Sequence, residues 1–282
     1  MIVGRNTGRG SRAFAGSLAP LRSSRLSFEP PHCSRGGSFF WKMQEFPLVS
    51  PGRIWYDFCA FFTSKLPDMT IIWHGLSCFE IHAKTSGGGE AVLVTDPYEN
   101  SSGLRFPRTL SADLVAASHE GEDGDAGEAV QGKPFRIRLP GEYEVKGIFV
   151  FGIHAPLLKG SRSHRLFRME LEDLRLAHLG ALDRPLSDGE LQELSNIDIL
   201  FLPVGGGRVL DAKKAVEVVG QVEPRIVIPM TYALPGLKEE FQPVDAFLKE
   251  FGSLQKEQAA RYKVSKRDLP EEDMKIVTLE RA

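Results

Sequence analysis

The sequence predicts a layered α/β (α+β) body in which β-sheets lie beneath helices, and three observations carry that expectation. Short β-type runs recur at 70–74, 77–83, 91–95, 113–118, 135–138, 147–153, 165–171 and 174–178, with turn residues between them. After residue 185 the rhythm changes to helix–strand alternation. At 282 residues with 42% hydrophobic content, the chain can bury a substantial core. Many strands followed by an αβαβ pattern place sheets under helices.

The early strands follow one another closely, which predicts antiparallel pairing. Ser187 or Asp188 is placed to cap a helix running through Leu194, and 197–202 reads as a buried strand. Asp211 caps a second helix to about Val219, followed by a strand at 225–229. Pro243 suits the first turn of a third helix ending near Phe251. No internal repeat is visible by inspection.

Two regions of unequal character divide the chain. Residues 1–68 hold nine Lys/Arg against four Asp/Glu, whereas 69–282 carry a net negative balance. The first 28 residues lack acidic side chains while Arg5, Arg9, Arg12, Arg22 and Arg25 recur, a composition shared with organellar transit peptides. The reading preferred over targeting is a disordered extension or a mis-assigned start, with Met69 as the candidate initiator of the domain at 69–282. Overall net charge is -2, which gives no case for nucleic acid or an anionic membrane as partner. Three cysteines form neither a disulfide framework nor a Cys-x-x-Cys site, so a reducing, cytoplasmic setting is expected. No apolar run approaches the roughly 18–20 residues that span a bilayer.

Chemistry is expected where strands end in polar or glycine-rich turns. Such turns occur at Thr95-Asp96-Pro97, at the HEGEDG loop (119–124), at HLGA (178–181), at PVGGG (203–207) and at PMTY (229–232). The stretch 119–128 is strongly acidic and reads first as a solvated loop, with a hard-cation site as the alternative. His74 reads as a structural or surface residue, His82, His154 and His164 as surface residues, and Cys78 as a small buried hydrophobe. Ser77 lacks a Gly-x-Ser-x-Gly context, and no Walker loop or dinucleotide fingerprint is present.

In their order, WHGLSCFEI (73–81), TDP (95–97), ADLVAASH (112–119), PGEYEVKG (140–147), HLG (178–180), PVGG (203–206) and IPMTY (228–232) resemble the metallo-β-lactamase superfamily. The resemblance is to the branch of small zinc-dependent hydrolases related to ascorbate-6-phosphate lactonase, and it spans nearly all of 69–282. It implies an αββα four-layer sandwich with the active site along one edge. It also implies two zinc ions held by a His-x-His-x-Asp-His loop, a His and a bridging Asp around HLGD, and a His in IPMHY. Carried over position by position, this chain keeps His119, Asp123 and His178. Gly121, Gly124, Ala181 and Thr231 stand at the other four ligand positions.

Glycine and alanine supply no donor, and the neutral hydroxyl of threonine is a poor substitute for imidazole on zinc. The leading expectation is therefore a catalytically impaired or inactive homologue that binds no metal or one weakly held ion. One alternative is a hydrolase with a residual mononuclear zinc site at His119, Asp123 and His178, Asp123 being the candidate catalytic carboxylate. The other is a metal-free pocket for a small molecule, with Asp96, Thr231 and the backbone of Gly206 as polar contacts. Homo-oligomer formation is a further expectation from the resemblance.

Overall fold

The computed structural model describes residues 69–85, 88–159, 163–252 and 255–282, all within one compact unit, Phe62–Ala282. The expectations for 1–68 fall outside the described residues. Fourteen strands form two sheets among the described residues. The first half supplies β1 (Met69–Gly75), β2 (Cys78–Lys84), β3 (Glu90–Thr95), β4 (Ser111–Ala116), β5 (Gln131–Ile137), β6 (Gly141–Val145) and β7 (Ile148–His154). The second half supplies β8 (Arg165–Leu171), β9 (Leu174–His178), β10 (Ile199–Pro203), β11 (Ile226–Met230), β12 (Gln255–Ala259), β13 (Tyr262–Val264) and β14 (Lys275–Leu279). One sheet runs β13-β1-β2-β3-β4-β5 and the other β12-β14-β11-β10-β9-β8-β7-β6.

Strand alternation explains how the sheets face each other. In β1 and β2 the residues Ile71, Trp73, Phe79 and Ile81 point inward, meeting Phe167, Leu176 and Phe201 of the second sheet in one continuous core. A second apolar cluster, including Cys78, Val94, Tyr98 and Leu104, packs against the other face of the first sheet. Cys78 is fully buried and its thiol is pushed well up by that burial.

Three helices are present among the described residues: α1 (Asp188–Glu193), α2 (Ala212–Val222) and α3 (Val244–Glu250). Ser187 and Glu190 close a reciprocal capping box on α1, and Asp211 accepts from Lys214 N on α2. Pro243 is the N-cap of α3 and not its first helical residue. Ala212, Ala215, Val218 and Val219 give α2 its buried stripe. None of these helices is long and apolar enough to cross a membrane.

Pairing departs from the all-antiparallel expectation in one place. β1–β2–β3 and β6–β7–β8–β9 are antiparallel, but β3–β4 and β4–β5 are parallel. The loops after β3 and β4, at 96–110 and 117–130, return the chain to the same end of the sheet with only short 3₁₀ turns in them. Closeness in sequence therefore did not mean a hairpin. Strands β9, β10, β11, β14 and β12 are parallel, as helix–strand alternation requires.

On the outer face of the first sheet, His74, Glu80, His82 and Glu90 form a chain. His74 Nε2 and His82 Nε2 lie 2.8 and 2.7 Å from the two oxygens of Glu80, and His82 Nδ1 lies 2.9 Å from Glu90. Burial opposes the Glu80 carboxylate, but the hydrogen bonds to both histidines outweigh it and pull the carboxyl down to about 2. The hydrogen bond to Glu80, set against partial burial and joined by Glu90, raises His82 above its ordinary value. A lowered carboxyl contributes stability above its unfolded value of about 4.3, which is lost as pH falls. A raised imidazole contributes below about 6.5 and the contribution is lost as pH rises through its folded value. Thermal melts across this range should show the stability gap between wild type and Glu80→Gln widest between about pH 4.5 and 6.5, shrinking on both sides. A gap independent of pH would mean the chain contributes only packing.

Candidate functional site

The carboxyl ends of β3, β4, β9 and β11 meet at one edge of the two sheets, and the residues following them build the site. Asp96 follows β3, Ser118 and His119 follow β4, His178 ends β9, and Thr231 follows β11. Asp96 and Thr231 both hold left-handed backbone, at φ 38° and 52°. For a β-branched residue such as Thr231 that conformation is strained.

Asp96 is completely buried and organises the centre. Its Oδ1 accepts from Ser118 N and its Oδ2 from Ser118 Oγ, both at 2.6 Å. Ser118 Oγ also lies 2.8 Å from His119 Nδ1. With its one proton on the carboxylate, the hydroxyl accepts from the ring. His119 Nε2 lies 3.2 Å from Asp123 Oδ2, at ion-pair distance but without an aligned hydrogen bond. Arg208 Nη2 reaches the same Asp123 oxygen at 2.7 Å, and Arg208 Nε is 2.6 Å from Glu239 Oε1. Burial works against the Asp123 carboxylate, yet His119 and Arg208 hold it well below the usual range.

His178 is fully buried and both of its nitrogens are occupied. Nε2 donates to Ser77 O at 2.9 Å, and Nδ1 accepts from Gly180 N at 3.3 Å. Burial lowers its pKa, partly offset by Asp96 3.9 Å away. His164, expected at the surface, is also fully buried here: Nδ1 donates to Ala155 O at 2.8 Å and Nε2 accepts from Ala181 N at 3.1 Å. Burial takes it down to about 4, so it is a neutral strut. Its role was invisible in sequence because no motif surrounds it. Arg208 was missed as well, since the glycine run before it reads only as a turn.

These residues do not fit a pair of metal ions. Zinc needs free lone pairs from deprotonated donors. His178 has none to give, and Gly121, Gly124 and Ala181 carry no donor atoms. Thr231 Oγ1 is buried without a hydrogen-bond partner. Among the described residues no three His, Cys, Asp or Glu side chains converge as a metal-binding group. The His119 ring fills the space a side chain at Gly124 would need: a Cβ there would lie 2.5 Å from His119 Cε1.

A cleft of about 760 Å³ opens over the site, with His119 and Asp123 in its wall beside Gly121, Ala181 and Arg208. The other candidate contacts do not line it. Asp96 and His178 lie beneath it at zero exposure, Thr231 is 2% exposed, and Gly206 N is committed to Leu210 O at 2.9 Å. The structure thus brings His119 and Asp123 together at the cleft, and leaves His178, Asp96, Gly206 and Thr231 behind it.

Comparison with known proteins matches residues 70–231 to the beta-lactamase superfamily domain. A UPF0173 protein of Pyrococcus abyssi is 28% identical over 207 residues, 62% of this chain and 91% of that protein. A UPF0173 metal-dependent hydrolase of Staphylothermus marinus is 32% identical over 207 residues, covering 64% of this chain and 88% of its own length. Among solved structures, a Thermotoga maritima protein described as a candidate Zn-dependent hydrolase of the metallo-β-lactamase superfamily superposes with a TM-score of 0.61. It is 30% identical and covers 75% of this chain and 98% of its own. The family match in sequence and the superposition of the two-sheet body agree, and the chain belongs to the metallo-β-lactamase superfamily of metal-dependent hydrolases.

Proposed function

We propose that this chain is a catalytically impaired member of its family, one that uses the cleft for binding and not for two-metal hydrolysis. The observation that carries the reading is the state of His178, whose two nitrogens are both consumed by backbone groups, Ser77 O and Gly180 N. Hydrolysis by this class of site needs a cation held by about three protein ligands, with a bound water whose pKa falls from 15.7 toward about 7. An imidazole locked between two backbone partners, with glycine, alanine and threonine at four companion positions, cannot assemble that centre. What remains is a buried polar network beneath a cleft of small-molecule size.

Metal analysis of the full chain after zinc loading tests this. Substoichiometric zinc, unchanged in His178→Ala, together with no hydrolysis of lactones or phosphodiesters, is the expected result. One equivalent of zinc that disappears in both His119→Ala and His178→Ala would instead establish a mononuclear site on His119, Asp123 and His178. Such a result would require the His178 ring to exchange a backbone partner for the metal.

A further inference from the structure

We propose that the cleft binds an oxyanionic small molecule, a carboxylate or a phosphate monoester, on Lys159, Arg208 and Lys238. The proposal deepens the metal-free reading and rests on it. Where the family resemblance implies cations of zinc, this chain places its own: Arg208 Nη2 sits 2.7 Å from Asp123, the retained carboxylate of the loop. Lys159 and Lys238 line the same cleft from two other loops.

Two of these cations have side-chain partners, and the backbone of all three is placed by the fold. The buried carboxylate of Asp183 accepts from Leu158 N at 2.9 Å and Lys159 N at 2.8 Å, fixing the loop that carries Lys159. Lys159 Nζ donates to Gly207 O at 2.9 Å, next to Arg208, and among the described residues this takes one of its three hydrogens. Lys238 N donates to Ser102 O at 3.0 Å, which anchors its backbone. Arg208 is clamped between Asp123 and Glu239, leaving Nη1 uncommitted among the described residues.

The balance of commitments decides the sign of the ligand. Asp123 and Glu239 both spend oxygens on Arg208, and Glu122 accepts from Ser101 Oγ at 2.6 Å. Lys159 and Lys238 make no ion pair among the described residues. Donors with hydrogens to spare therefore line the cleft while each of its carboxylates already has a partner, and a planar or tetrahedral oxyanion matches such donors. Loops fixed in advance lower the ordering cost of binding.

Calorimetric titration and thermal melts of the full chain, with chelator present, test the site. Inorganic phosphate and succinate are the two probes, with chloride at matched ionic strength as control. Saturable binding of one probe is expected, with a rise in Tm, and the responding probe separates phosphate from carboxylate recognition. Lys159→Gln and Lys238→Gln should each weaken it by about tenfold or more, through loss of a charge-assisted contact. Failure of both probes to exceed chloride, or unchanged binding in the Lys159→Gln/Lys238→Gln double variant, would overturn the proposal. Repeating the titration after zinc loading separates the two readings. Binding that appears only with zinc overturns the metal-free reading, whereas no binding with or without zinc overturns the anion site alone.

Discussion

Asp96→Ala should lower the stability of the full chain by about 3–5 kcal/mol, the range for breaking a buried charged network by removing one partner. The carboxylate is fully buried and accepts from Ser118 N and Ser118 Oγ at 2.6 Å each. Alanine would leave both donors buried without their acceptor, and the full desolvation cost of each is then expressed. The loss does not stop there. His119 Nδ1 and His178 Nε2 each lie 3.9 Å from Asp96 Oδ2, so the two rings share the field of one negative charge. Asp96→Asn keeps an acceptor for one Ser118 donor and should fall between wild type and Asp96→Ala. Urea unfolding with an unchanged slope and a lowered midpoint is the measurement. A midpoint shift in Asp96→Ala equivalent to under about 1 kcal/mol would show that Ser118 finds other partners.

The legibility of this chain follows how each segment meets the core. Strands with one face in the core carry their period plainly, as Met69–Gly75 and Arg165–Leu171 do, and α2 is announced by Asp211 and its apolar stripe. The strands that escaped the sequence reading are of two kinds. Gly141–Val145 and Gln255–Ala259 lie at the edges of the eight-stranded sheet and are largely exposed, so hydrogen bonding and not burial makes them strands. Tyr262–Val264 and Lys275–Leu279 are short and flanked by charged residues. At the site, motif order points to His178, which ends β9, and to His119 and Asp123, which lie in the loop after β4. It could not show that the nitrogens of His178 are spent on backbone, because those partners, Ser77 O and Gly180 N, carry no side-chain signal. Nor could it find Arg208, whose contact with Asp123 joins loops far apart in sequence.

Gly124→Ala should cost about 1–3 kcal/mol, the range for overpacking a close-packed site, and the cost should depend on His119. A Cβ at 124 would stand 2.5, 2.6 and 2.8 Å from His119 Cε1, Nε2 and Nδ1, so the whole ring edge is in the way. The ring cannot simply retreat. Its Nδ1 is bound to Ser118 Oγ at 2.8 Å, and that hydroxyl is fixed by Asp96. In a His119→Ala background the obstruction is gone, and Gly124→Ala should then be nearly neutral. A double-mutant cycle would read the difference as coupling of about 1–3 kcal/mol. Gly121→Ala is the contrast: its φ of 131° strains any side chain, so its cost should be the same with or without His119. Absence of coupling at 124 would mean the ring has room to move. If the coupling appears, Gly124 is no passive gap in a ligand set. The His119 ring has taken the space that the resemblance assigns to the third histidine of the loop. Gly124→His would then collide with the residue it was meant to assist, and the two-metal arrangement could return only after His119 left its hydrogen bond to Ser118.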